Sequence, residues 1–165
     1  MIANNAVRIF PMLLALALAA GCEQAPQPVA PGKSFAVSFS EDASADALDG
    51  RLILILSRND DEEPRFQVAA GVDAVQIFGM NVDGMRAGAS VVMDDSVFGY
   101  PHDSLADLPD GEYFVQALLH KYDTFTLSKG KTVKLPMDQG EGQQWESSPG
   151  NLYSEARMMQ VSAGE

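Results

Sequence analysis

Hydrophobic and polar positions along this chain alternate in short runs, with a period of two rather than of three to four. Phe35, Val37 and Phe39 alternate with Ser34, Ala36, Ser38 and Ser40, which predicts a half-buried strand with one solvent face. The run Arg51-Leu52-Ile53-Leu54-Ile55-Leu56-Ser57 is short and rich in strand formers, and predicts a core strand. Phe66-Gln67-Val68, Ala74 to Met80 and Ser90 to Met93 read as further strands, with loops at Asn59 to Pro64 and at Asn81 to Gly88. Ser104 to Asp107 predicts one helical turn, capped by Ser104 or Asp103.

The chain is organised around Leu108 to Leu135. Leu108-Pro109-Asp110-Gly111 is a turn, because proline presets φ and the Asp-Gly pair tolerates φ > 0. From there Tyr113, Val115, Ala117 and Leu119 share one face, while Phe114, Gln116, Leu118 and His120 share the other. Both faces are largely apolar, as in a central strand covered on both sides. A second turn, Ser128-Lys129-Gly130-Lys131, leads into Thr132 to Leu135 as the antiparallel partner. Gly140 to Gly150 reads as a polar loop, and a last strand falls near Arg157 to Val161. Short strands, Gly/Pro/Asp turns and no long helical pattern predict an all-β antiparallel β-sandwich, immunoglobulin-like or transthyretin-like. Asp110-Gly111-Glu112-Tyr113 is similar to the tyrosine corner of immunoglobulin-like domains; the plainer alternative makes Tyr113 a core aromatic at a strand start.

Composition narrows the partners. The chain has 165 residues, 46% of them hydrophobic, which suits one globular domain. Its net charge of −12 leaves no basic face for nucleic acid, and would repel anionic headgroups. Membrane attachment is therefore expected to be covalent or apolar.

The amino terminus offers one. Arg8 precedes the apolar run Ile9 to Ala20, which is shorter than the ~20 residues that span a bilayer. The run stops at Ala20-Gly21-Cys22, and Cys22 is the only cysteine. This segment resembles a bacterial lipoprotein signal, with leucine at Leu18 rather than at the position of Ala19. The resemblance implies cleavage after residue 21 and acylation of Cys22, so that the chain is exported and held on the bilayer. An ordinary signal cut nearby, with Cys22 incidental, is the alternative. Glu23 stands where the family's inner-membrane retention signal has aspartate, which by resemblance points to the outer membrane. The expected organisation is a signal over 1–21, an anchor and Pro-rich tether over 22–32, and a sandwich domain over 33–165.

Further segments carry a second resemblance. Asp49-Gly50-Arg51-Leu52, Glu63-Pro64-Arg65-Phe66, Ser104 to Pro109 with Gly111-Glu112-Tyr113, and Val133-Lys134-Leu135-Pro136 come first. Gly140-Glu141-Gly142-Gln143 follows, with Trp145, Pro149, Gly150, Asn151, Leu152 and Tyr153. Together they resemble an amino-terminal domain found ahead of esterase-like α/β-hydrolase domains in secreted bacterial proteins. The resemblance implies that catalysis in such proteins sits in a part absent from this chain, which ends at Glu165.

The residues themselves predict no catalytic centre. Gly-x-Ser-x-Gly does not occur, and His102-Asp103-Ser104 are neighbours, whereas triads gather distant positions. Asn59 to Glu63 and Asp94-Asp95 lack the spacing of a calcium loop, and the methionines at 80, 85, 93, 137, 158 and 159 form no regular copper motif. No metal or cofactor is expected. The remaining candidate for binding is the loop bearing Gln143, Gln144, Trp145 and Asn151, which can stack on a glycan or anchor a partner protein. The alternative is that Trp145 folds back and plugs the sandwich edge. The expected function is a non-catalytic envelope lipoprotein with a binding or accessory domain. Candidate partners are an envelope protein, a glycan or a separate hydrolase; the alternative is a truncated or split hydrolase relative.

Overall fold

A computed structural model describes residues 32–69, 71, 74–140 and 144–164. The signal, Cys22 and all of the tether before Gly32 lie outside the described residues. Nine strands build the domain: β1 (Phe35–Val37), β2 (Leu48–Ser57), β3 (Gln76–Met85), β4 (Val91–Met93), β5 (Gly99–Tyr100), β6 (Gly111–Thr126), β7 (Thr132–Pro136), β8 (Leu152–Tyr153) and β9 (Arg157–Val161). All pairings are antiparallel. The large sheet runs β5-β3-β2-β6, and β9, β8 and β7 follow one another along the other edge of β6. β1 and β4 form a small second sheet. The architecture is an all-β antiparallel sandwich, as the alternation predicts.

The core lies between the two sheets. Leu52, Leu54 and Leu56 of β2, Phe78 of β3, and Tyr113, Val115 and Leu119 of β6 meet Met93, Leu105 and Leu108, with Phe35 and Val37 of β1 packed against them. β2 and β6 also bury their opposite face, where Ile53, Ile55 and Leu118 form a smaller cluster under Val68, Val75, Ile77 and Trp145. Here the cover is a pair of loop segments, not a sheet.

Several predicted elements hold. Ser104 caps a 3-10 turn at Leu105–Asp107, its hydroxyl accepting from the Ala106 N–H. The Tyr113 hydroxyl donates to the Pro109 carbonyl at 2.8 Å, as in a tyrosine corner, and accepts from the Arg58 guanidinium at 2.6 Å.

Three elements differ from the alternation. Phe66-Gln67-Val68 is not a strand: Pro64–Phe66 is a 3-10 turn opened by a proline. β2 already pairs with β3 on one edge and β6 on the other, so this segment finds no sheet edge and crosses the face instead. β3 continues through Asn81 to Met85, where a loop is predicted, because Leu48–Arg51 supply pairing partners across a β-bulge. β6 runs to Thr126, well past His120, since β7 extends its edge.

Candidate functional site

The second face of the large sheet carries a concavity of about 350 Å³. Its floor follows from the register. Gly79 of β3 lies opposite Ile53 of β2 and bears no side chain, which leaves a dent that the Arg51 guanidinium enters from one side. Ile77 flanks this dent, and Trp145 and Val68 overhang it. Phe98 and Tyr100, beside and within the edge strand β5, form the rim and are 68% and 49% exposed. Arg51 and His120 lie directly across from each other on β2 and β6 and close one end. The result is an apolar, aromatic-rimmed hollow with two polar groups at one end, of the size and character of a small-ligand site. A groove of about 430 Å³ also runs between β1 and β9, with Lys33, Glu155 and Arg157 in its lining.

Hydrogen bonds set the orientation of the polar end. Arg51 lies across Gly79, whose missing Cβ would stand 2.9 Å from Nε. Its guanidinium donates to the Gly79 carbonyl at 3.0 Å and to Asn81 Oδ1 at 3.2 Å. No carboxylate among the described residues comes within ion-pairing distance of it.

Asn151 Oδ1 accepts from the Lys121 backbone N–H at 3.2 Å and lies 3.0 Å from His120 Nδ1. The backbone group can only donate, which identifies the amide oxygen, so Nδ1 carries a proton and donates to it. Nε2 is the other ring nitrogen. It has no hydrogen-bond partner among the described residues, yet no buried side-chain nitrogen or oxygen is left unpaired. Nε2 therefore reaches solvent, and His120 lines the hollow. Tyr122 and Trp145 hold the ring edge-on, at centroid distances of 5.7 and 6.5 Å.

A buried network supports the loops that cover the face. Gln116 of β6 is fully buried. Its Oε1 accepts from the Arg65 N–H at 3.1 Å, and its Nε2 donates to Glu63 Oε2 at 2.9 Å and to the Ser154 carbonyl at 2.8 Å. Arg65 pairs with Glu63 at 2.8 Å, donates to the Glu146 carbonyl and stacks 3.6 Å over the Tyr153 ring. The Gln116 amide and then the Arg65 guanidinium hold the Glu63 carboxyl below its ordinary value. Elsewhere Lys134 of β7 bridges Asp49 of β2 and Asp83 of β3, each at 2.8 Å.

The sequence-predicted residues divide. Cys22 and Gln143 lie outside the described residues. Gln144 is exposed beside the concavity's overhang. Trp145 packs on Ile53, Ile55 and Leu118 and is half-buried. The Asn151 side chain is occupied internally: besides His120 and Lys121, it donates to the Trp145 carbonyl at 2.7 Å and so positions the tryptophan. Ser104 Oγ donates to the Asp95 carbonyl rather than to His102. Among the described residues no three His, Cys, Asp or Glu side chains gather as a metal site requires. Arg51, Gly79, Phe98, Tyr100 and His120 were not singled out together by sequence. A glycine inside a strand run was the one local sign, since it marks a missing side chain or a close approach.

No family model, curated protein or solved structure matches this chain.

Proposed function

We propose that this chain is a non-catalytic lipoprotein of the bacterial envelope, exported and anchored at the outer membrane through acylated Cys22, and that its sandwich is a binding domain. The observation that carries the binding role is the aromatic-rimmed hollow over Gly79, with Phe98 and Tyr100 exposed at its edge. Exposed aromatics around an apolar floor favour a ligand with a flat or bulky apolar group, because the rings supply contact area at small entropic cost. The loop segment that brings Trp145 to the hollow is tied down by Arg65, which donates to the Glu146 carbonyl, and by Asn151, which donates to the Trp145 carbonyl.

Trp145 is the only tryptophan and stands in the wall, so binding reads out directly in its fluorescence. Titration with phenylpropionate and phenylpropionamide should give a saturable change in emission. Phe98→Ala with Tyr100→Ala should weaken it without lowering the melting temperature, since both side chains are largely exposed. A flat response to both probes would refute the assignment of the site.

The anchor is tested separately. Cys22→Ser should abolish labelling by a fatty-acid analogue and release the protein into the soluble fraction. Membrane association without acyl label on the wild type would sink the lipoprotein reading.

A further inference from the structure

We infer that the hollow selects ligands in which a carboxylate adjoins an apolar, ring-bearing body, with Arg51 as the group that receives the carboxylate. This rests on the hollow being a binding site, and adds the chemistry of its ligand. Arg51 has the attributes of an anion receptor. It is half-buried, it closes one end of an apolar cavity, and no carboxylate of the described residues neutralises it.

Two of the guanidinium N–H groups are spent on the Gly79 carbonyl and Asn81 Oδ1, which fixes the plane of the fork. The remaining N–H groups are thereby oriented in advance, so a carboxylate gains charge-assisted bonds without ordering a free side chain. Gly79 is what allows this pose, because any Cβ there would press on the guanidinium.

His120 offers less: its Nδ1–H is committed to Asn151, which leaves a single ring nitrogen against the free side of the Arg51 fork. Lys121 is paired with Asp123 at 3.1 Å. Selection for negative charge at this end therefore falls to Arg51. The negative charge of the whole chain opposes anions at long range. Screening limits that field to about 8 Å at physiological salt, while a partly buried pair at contact is screened far less.

Three probes of one shape decide the matter: phenylpropionate, phenylpropionamide and phenylpropylamine, titrated calorimetrically against the intact domain. The carboxylate should bind about ten-fold or more tightly than the amide, and the amine more weakly than either. Arg51→Gln should bring carboxylate and amide to within about two-fold of each other. Arg51→Lys should restore part of the preference, since it returns the charge without the fork.

If Arg51→Gln fails to fold, Arg51→Lys serves instead, and the carboxylate-to-amide ratio should fall below that of the wild type. Equal binding of acid and amide by the wild type overturns the inference and leaves the binding site standing. A preference that survives Arg51→Gln, or that is undiminished in Arg51→Lys where the Gln variant does not fold, also overturns it. Failure of all three probes removes the site itself, and the inference with it.

Discussion

Gln116→Leu tests whether the buried amide is what holds the loops over the second face. Leucine is close in volume, so no cavity term enters and the cost is that of groups left unpaired. The Arg65 N–H loses its only acceptor in a buried position, which costs about 1–3 kcal/mol. Glu63 and the Ser154 carbonyl also lose a donor. Both are discounted, because the Glu63 side chain is 45% exposed and Ser154 is exposed, so water replaces much of what is lost. Greater apolar burial by leucine offsets part of the remainder. The net expectation is a loss of about 2–3 kcal/mol.

Urea denaturation followed by circular dichroism measures it, as a shift in midpoint at unchanged slope. A second signature should appear before unfolding. Arg65 also holds the Glu146 carbonyl, so loosening it should expose Trp145 and shift its emission to the red. Gln116→Glu is the control. At neutral pH it sets a second carboxylate against Glu63 and the Ser154 carbonyl, and should destabilise more than leucine. It should recover as the pH falls and the new carboxyl becomes a donor. A Gln116→Leu protein within about 0.5 kcal/mol of the wild type, with unshifted emission, would refute the reasoning.

Trp145→Ala should cost about 2 kcal/mol, less than a fully buried aromatic because part of the ring is already open, and calorimetric titration should show loss of phenylpropionate binding. Glu63, Asp49 and Asp94 all have lowered pKa values, from the Gln116 amide, the Lys134 ammonium and the Ser96 hydroxyl respectively. Their contribution is complete above the ordinary carboxylate values and lost as pH falls through the lowered ones. Stability measured by urea titration should thus hold from neutral pH down to about 5 and decline below that, more gently in Glu63→Gln. Lys134 is raised by Asp49 and Asp83, so its share should persist below pH 10.5 and fade above it. The purified domain should hydrolyse no ester above background. Clear turnover abolished by Ser104→Ala or His102→Ala would prove a catalytic site at that cluster.

Local pattern alone was enough for the fold class and for most strands of this protein. Leu52, Leu54 and Leu56 alternate with Ile53 and Ile55, and side-chain alternation in a strand sends the two sets to opposite faces whatever the surroundings. Turn chemistry was equally local, as in the Ser104 cap and the Pro109-Asp110-Gly111 turn that starts β6. What covers each face was not local. The same apolar run suits a cover of strands or of loops, and only the pairing of β1 with β4 decided one side and the Gln116–Arg65–Glu63 network the other. Phe66 to Val68 has strand-forming residues, but a strand needs a free edge, and edges belong to the whole sheet. β5 and β8 are two residues each, too short for any period to register. The tryptophan of the candidate site was visible as an unusual residue in a polar loop. Its companions come from β2, β3, the edge of β5 and β6, and only strand register sets Arg51 beside His120 and Gly79 beneath the rim. Register is a property of pairs of strands far apart in sequence, and one strand read alone does not contain it.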